Sequence, residues 1–277
     1  MVWSCLVSIL PGMAQTEKLT DYVNPFVGTD GYGNVYPGAQ IPFGGIQISP
    51  DTDSRFYDAA SGYKYNHLTL MGFSLTHLSG TGIPDLGDFL FIPGTGEMKL
   101  EPGTHEDPDQ GYRSRYSHDK EWASPNYYAV ELADYGVKAE MTSGVRSGMF
   151  RFTYPESDNA FIMIDMNHTL WQSCEWSNLR MINDSTITGY KLVKGWGPER
   201  HVYFTATFSK KLTGLRFVQD KKPVIYNTSR FRSSYEAWGK NLMACISFDT
   251  KAGEEVTVKT AISAVSTDGA RNNMKEL

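Results

Sequence analysis

Cysteine is scarce, with 3 in 277 residues, and one of these, Cys5, lies in the opening segment. Cys174 and Cys245 make no disulfide framework; they either pair once or remain small buried hydrophobes. A large excess of charge of one sign is missing too. The formal net charge is -5, and Lys and Arg are scattered rather than gathered into a stripe that could neutralise phosphates, which excludes nucleic acid as a partner. Past the opening segment no apolar run reaches the about 18 residues that a membrane span needs. The chain has no Gly-x-x-x-x-Gly-Lys-Ser/Thr phosphate loop, no Asp-x-Asp-x-Asp-Gly calcium loop, no His-Glu-x-x-His zinc helix and no Gly-x-Ser-x-Gly elbow. A metal bound wholly by this chain is therefore not expected.

What is present is aromatic and strand-forming. Aromatic residues make up 13% of the chain, including 16 Tyr and 6 Trp, a content shared by β cores and by surfaces that stack on sugars. Met1 to Ala14 carries Val2, Trp3, Leu6, Val7, Ile9 and Leu10 and ends in Gly-Met-Ala, which reads as a secretory signal peptide without a basic n-region and implies export to the periplasm or beyond. The sequons at Asn167, Asn183 and Asn227 matter only in a eukaryotic secretory pathway.

Beyond Gln15 the apolar period is two. Tyr128, Val130 and Leu132 alternate with polar neighbours up to the turn Asp134-Tyr135-Gly136, and Val137, Ala139 and Met141 alternate after it, predicting an antiparallel hairpin. Phe150, Phe152 and Tyr154 repeat the pattern, as do Val202, Phe204, Ala206 and Phe208, and Val256, Val258 and Ile262 close the series. Ala160 to Ile164 is apolar throughout, as a central strand covered on both faces must be. Such strands, joined by Gly, Pro and Asp turns, predict an all-β fold, an antiparallel β-sandwich over residues 19–266, followed by a polar helix-compatible segment over 267–277 that stops without a cap.

Between Phe73 and Phe89 the pattern breaks at His77-Leu78-Ser79-Gly80-Thr81-Gly82-Ile83-Pro84-Asp85-Leu86-Gly87-Asp88. Three glycines allow sharp bends and close approach, which marks a ligand-facing loop between rigid elements. A dinucleotide loop is rejected, because the final glycine is missing and proline stands where a helix should begin. Asp85 and Asp88 as an acid/base pair is disfavoured, since two carboxylates flanking a scissile bond usually come from different elements. His77 reads equally well as a substrate contact or as a satisfied core residue.

Asp21 to Thr29, Gly33 to Ala39, Pro42-Phe43-Gly44, Gln47 to Thr52, Ser61 to Tyr65, Gly72-Phe73-Ser74 and the loop above, followed by Ala123-Ser124-Pro125, Tyr127-Tyr128 and Tyr135-Gly136, resemble in order the amino-terminal region of glycoside hydrolase family 92. That resemblance implies a calcium-dependent, inverting exo-α-mannosidase, α-1,2-like in specificity, acting on mannose-containing glycans. It implies two domains, an amino-terminal β-sandwich and a carboxy-terminal (α/α)6 barrel, of which this chain holds the first. Both catalytic carboxylates and most calcium contacts are then expected in the absent barrel. The matching substrate loops supply Tyr57, Asp58, Tyr63, His77, Ser79, Gly80, Thr81, Gly82, Asp85 and Asp88 as candidate sugar contacts. Two positions depart from the family pattern: Tyr57 stands where Trp is frequent, and Leu75 where a His-Thr-His begins. The rival expectation is a free-standing carbohydrate-binding module that uses Tyr57, Tyr63 or exposed Trp residues such as Trp171, Trp176 and Trp196, and a third is a purely structural docking domain whose loop residues are interface.

Overall fold

A computed structural model describes residues 17–54, 59–225 and 235–277. The expected signal peptide, the candidates Tyr57 and Asp58 and the sequon at Asn227 lie outside the described residues.

The first strands are β1 (Ser49–Asp51), β2 (Thr69–Leu70), β3 (Gly72–Ser74), β4 (Leu90–Thr95), β5 (Ser114–Arg115) and β6 (Glu121–Ser124). Longer ones follow: β7 (Tyr127–Leu132), β8 (Val137–Ser143), β9 (Ser147–Tyr154), β10 (Ser157–Asp165), β11 (Ser173–Asn183), β12 (Thr186–Lys194) and β13 (Arg200–Phe208). The last are β14 (Gly214–Gln219), β15 (Lys222–Pro223), β16 (Glu236–Gly239), β17 (Leu242–Thr250) and β18 (Glu254–Ser263). Two sheets hold all but β2 and β5: a seven-stranded one ordered β1-β3-β4-β10-β17-β14-β15 and a nine-stranded one ordered β16-β11-β12-β13-β18-β9-β8-β7-β6. Every pairing among the described residues is antiparallel, including the expected hairpin, with Val130 opposite Ala139 and Gly136 at φ 63° in its turn.

The two inner faces close on each other through rings. Phe91 of β4 meets Phe150 of β9 at 4.9 Å between centroids, and Phe89, next to β4, meets Phe204 of β13 at 4.4 Å. Each such fully buried side chain contributes about 1.5–3 kcal/mol. The apolar run of β10 sits at the centre of the seven-stranded sheet: Ile162 and Ile164 face the sandwich core, while Phe161 and Met163 face a second cluster with Leu90, Ile92, Met243 and Cys245. That outer cluster also contains Tyr112 and is capped by Met98, Leu100 and Tyr135. Cys174 and Cys245 are both free and buried.

Helix α1 (Thr267–Asn273) starts at Ser266, whose Oγ accepts from the Gly269 N–H at 2.9 Å. It rests on β13 and β18. In the turn that follows, Glu276 accepts from the Arg146 N–H and the Ser147 hydroxyl at 3.0 and 2.8 Å, tying the segment to β9.

Candidate functional site

The glycine-rich loop leaves β3 at Leu75 and returns at Phe89, and its base is pinched shut by hydrogen bonds between its two limbs. The Leu75 N–H donates to Asp88 O and the Gly87 N–H to Thr76 O, each at 2.8 Å. Gly87 has φ 76°, and a Cβ there would lie 2.7 Å from Leu170 Cγ, so the position demands glycine. Leu86 and Phe89 hold left-handed angles of 73° and 59° without being glycine. Such angles persist only where surrounding contacts over-determine them.

Those contacts come from a buried ion cluster. Asp88 is fully buried, with Lys191 Nζ 3.0 Å from one oxygen and Arg200 Nη1 2.6 Å from the other. The Thr76 hydroxyl adds a bond at 2.7 Å. Burial opposes the charge on Asp88, but the Lys191 and Arg200 cations outweigh it and hold the carboxyl well below the usual range. Lys191 Nζ also donates to His168 O at 2.6 Å and stands over the Phe89 ring.

A second buried carboxylate joins the neighbouring loop. Asp51 in β1 receives His77 Nε2 on one oxygen and His168 Nε2 on the other, both at 2.8 Å. Here too burial works against the charge, and the two imidazoles overcome it, so Asp51 titrates below its ordinary value. His77 Nδ1 contacts Gln47 O at 2.8 Å, which commits both its ring nitrogens inside the protein. Gly62 is obligatory beside this pair, because a Cβ would stand 2.1 Å from Asp51 Oδ1.

Three loops thus meet at one end of the sandwich. The Leu170 N–H donates to Leu86 O at 2.9 Å, and the Trp196 N–H, from the β12–β13 turn, donates to Asp85 Oδ2 at 3.2 Å. Trp171, with φ 74°, is 60% exposed at their junction, a bulky side chain held outward in a strained conformation. Trp171 lines an open cleft of about 840 Å³ with Asp165, His168, Gln172, Asn241 and Tyr112. Withdrawal from water raises the Asp165 carboxyl, partly countered by His168. The Gln172 side-chain nitrogen is buried and has no hydrogen-bond acceptor among the described residues.

The candidates from sequence fall into two groups. Ser79, Gly80 and Gly82 are exposed at the loop tip and Thr81 is half-buried, with the Gly80 N–H donating to Asn34 O at 2.7 Å. Tyr63, His77, Asp85 and Asp88 are buried. Tyr63 turns its hydroxyl to Glu121 Oε1 at 2.9 Å, inside a cluster that Tyr128 and His118 complete. Leu75 is fully buried in the core. Sequence reading did not single out Asp51, His168, Lys191 or Arg200. One signal was available: Lys191 falls on the dry parity of β12, in step with Ile187 and Val193, where a lone cation calls for a buried anion.

A model of the glycosyl hydrolase family 92 N-terminal domain matches residues 22–263. An uncharacterized secreted glycosidase of Arthroderma benhamiae is 30% identical over 139 residues, which are 50% of this chain and 17% of that protein. A solved family GH92 glycosyl hydrolase superposes with a TM-score of 0.75 at 26% identity, covering 91% of this chain and 33% of its own. The family GH92 inverting mannosidase of Bacteroides thetaiotaomicron shares the fold at a TM-score of 0.76 and 24% identity, over 94% of this chain and 34% of its own. The chain therefore spans about a third of each of these solved relatives.

Proposed function

Because this chain belongs to the glycosyl hydrolase family 92 N-terminal domains, we propose that it is the substrate-shaping half of an exported exo-α-mannosidase that removes terminal mannose with inversion. The carrying observation is the end of the sandwich where three loops, braced by buried ions, hold Trp171 at the rim of a cleft. A sugar face stacks on such a ring, while Asp165, Asn241 and the cleft's other polar groups meet its hydroxyls.

Inversion needs an acid and a base about 6.5–9.5 Å apart. The carboxylates in the loop bases are unsuited to either role. Asp51 is engaged by two imidazoles, Asp88 by two cations and a hydroxyl, and Asp85 by the Leu86 and Trp196 amides. We assign acid and base to the second domain. Calcium fits no better here: among the described residues no group of three or more His, Cys, Asp or Glu side chains is set to hold a metal ion. We place the calcium ion in the second domain. Val27, Tyr32 and Phe43, exposed by 72%, 91% and 104%, support a surface that another domain covers.

A stand-alone carbohydrate-binding module is the second reading, favoured by the outward Trp171 and Trp196 rings. One experiment separates the two. The purified chain, with calcium, should leave an aryl α-mannoside intact and bind α-mannobiose only in the millimolar range, as half of a pocket does. Micromolar binding would favour the module, and hydrolysis would overturn the assignment of catalysis to a second domain.

A further inference from the structure

The outward face of the nine-stranded sheet is divided in two. On one half α1 lies over Thr188, Thr205 and Ala261, which are buried on the sheet's outer parity. The other half is uncovered and aromatic. Register places Trp238, Asn178, Tyr190 and Tyr203 in one row across β16, β11, β12 and β13, and Trp176, Leu192 and His201 in the next row. Strand spacing makes the four-strand row about 14 Å long. Trp176 and Trp238 are 46% and 54% exposed. Tyr190 packs on Tyr203 at 4.8 Å between centroids, and its hydroxyl is 3.0 Å from His201 Nδ1, which fixes these rings as a rigid floor.

We propose that this row is a binding platform for an uncharged oligosaccharide, used in addition to the cleft at the loop end. Charge selects the ligand. Arg180 stands opposite Glu236 across β11 and β16, and Lys240 pairs with Glu175 at 3.2 Å, so charges of both signs are interspersed there and neither a polyanion nor a polycation meets a field of one sign. The rings stand between Asn178, Arg180 and His201 instead of merging into the aliphatic surface that a permanent protein interface presents. The hairpin beneath these rings leads to the loop end of the sandwich. Tyr190, Leu192 and His201 lie on the β12–β13 hairpin, whose turn carries Trp196 and bonds to Asp85. The platform needs no catalysis by an attached domain.

Affinity electrophoresis of the full chain tests this, using native gels that contain neutral α-mannan or, in parallel, polygalacturonate. Retardation is expected in mannan alone. Trp238→Ala and Trp176→Ala should each weaken it about tenfold. Trp238→Phe should keep most of it, and Trp122→Ala, at the far edge on β6, should keep all of it. Thermal melts of each variant show that the fold is retained, as the exposure of both rings predicts. Retardation of the wild type that Trp238→Ala and Trp176→Ala leave unchanged would overturn the platform and leave the cleft reading standing. No retardation, equal retardation in polygalacturonate, or variants that change sedimentation rather than mannan binding would overturn it as well.

Discussion

The base and the tip of the loop between Leu75 and Phe89 are made of the same glycine-rich sequence but obey opposite physics. At the base, Asp85, Gly87 and Asp88 are buried, and the Asp88 cluster offsets the left-handed strain of Leu86 and Phe89. At the tip, Ser79, Gly80, Gly82 and Ile83 face solvent, and a Cβ added at Gly80 or Gly82 would meet nothing within 4 Å. One stretch of chain thus serves as a fixed pedestal carrying an open rim. Asp85 and Asp88, which sequence offers as ligand contacts, lie buried in the pedestal, and the proposed function gives contact with a ligand to the tip and to Trp171.

The largest expected effect falls on the pedestal. Asp88→Ala leaves Lys191 buried without its counter-ion and should cost about 3–5 kcal/mol. Urea unfolding reads this, and a loss under about 1 kcal/mol would abolish the contrast between base and tip. Gly87→Ala should cost about 1–3 kcal/mol, through its positive φ and its contact with Leu170.

Acid should act on the same region in two stages. His67 lies beside this end, in contact with Thr52, and is held down to about 4, chiefly by burial, then by His105. A depressed histidine stabilises the fold in full above its unfolded value near 6.5, and that contribution is lost as pH falls toward 4. Asp51 and Asp88 are also depressed, so their contribution is complete above the ordinary carboxylate range, about 4, and drains away below it. Thermal melts at descending pH should show an early shallow loss followed by a steeper one. A melting temperature that does not change between neutral pH and pH 3 would contradict both braces. The smallest effect belongs to the tip: Gly82→Ala should leave stability within about 0.5 kcal/mol, while Gly80→Ala, at φ 75°, costs about 1–2 kcal/mol from backbone strain alone.

The sandwich was legible because alternation is a local property. Phe150, Phe152 and Tyr154 point inward and the apolar β10 run is covered twice, as period and composition required. The loop was legible as a loop for the same reason. Its interior was not. The bond between Asp51 and His168 joins residues 117 apart, and that between Arg200 and Asp88 joins residues 112 apart. No local pattern states which carboxylate meets which cation across such distances. Only Lys191, out of place on a dry strand face, hinted that a buried anion was near. The outward setting of Trp171 rests on its left-handed backbone angle, which its neighbours in sequence do not encode.

The most direct measurement follows the tryptophan indole N–H signals of the full chain by NMR while α-mannobiose is added. If the braced loops form a mannose-binding rim, the Trp171 and Trp196 signals shift with saturation in the millimolar range, Trp122 on β6 stays still, and the sugar remains uncleaved. Unmoved Trp171 and Trp196 signals at saturating sugar, or release of free mannose, would contradict it.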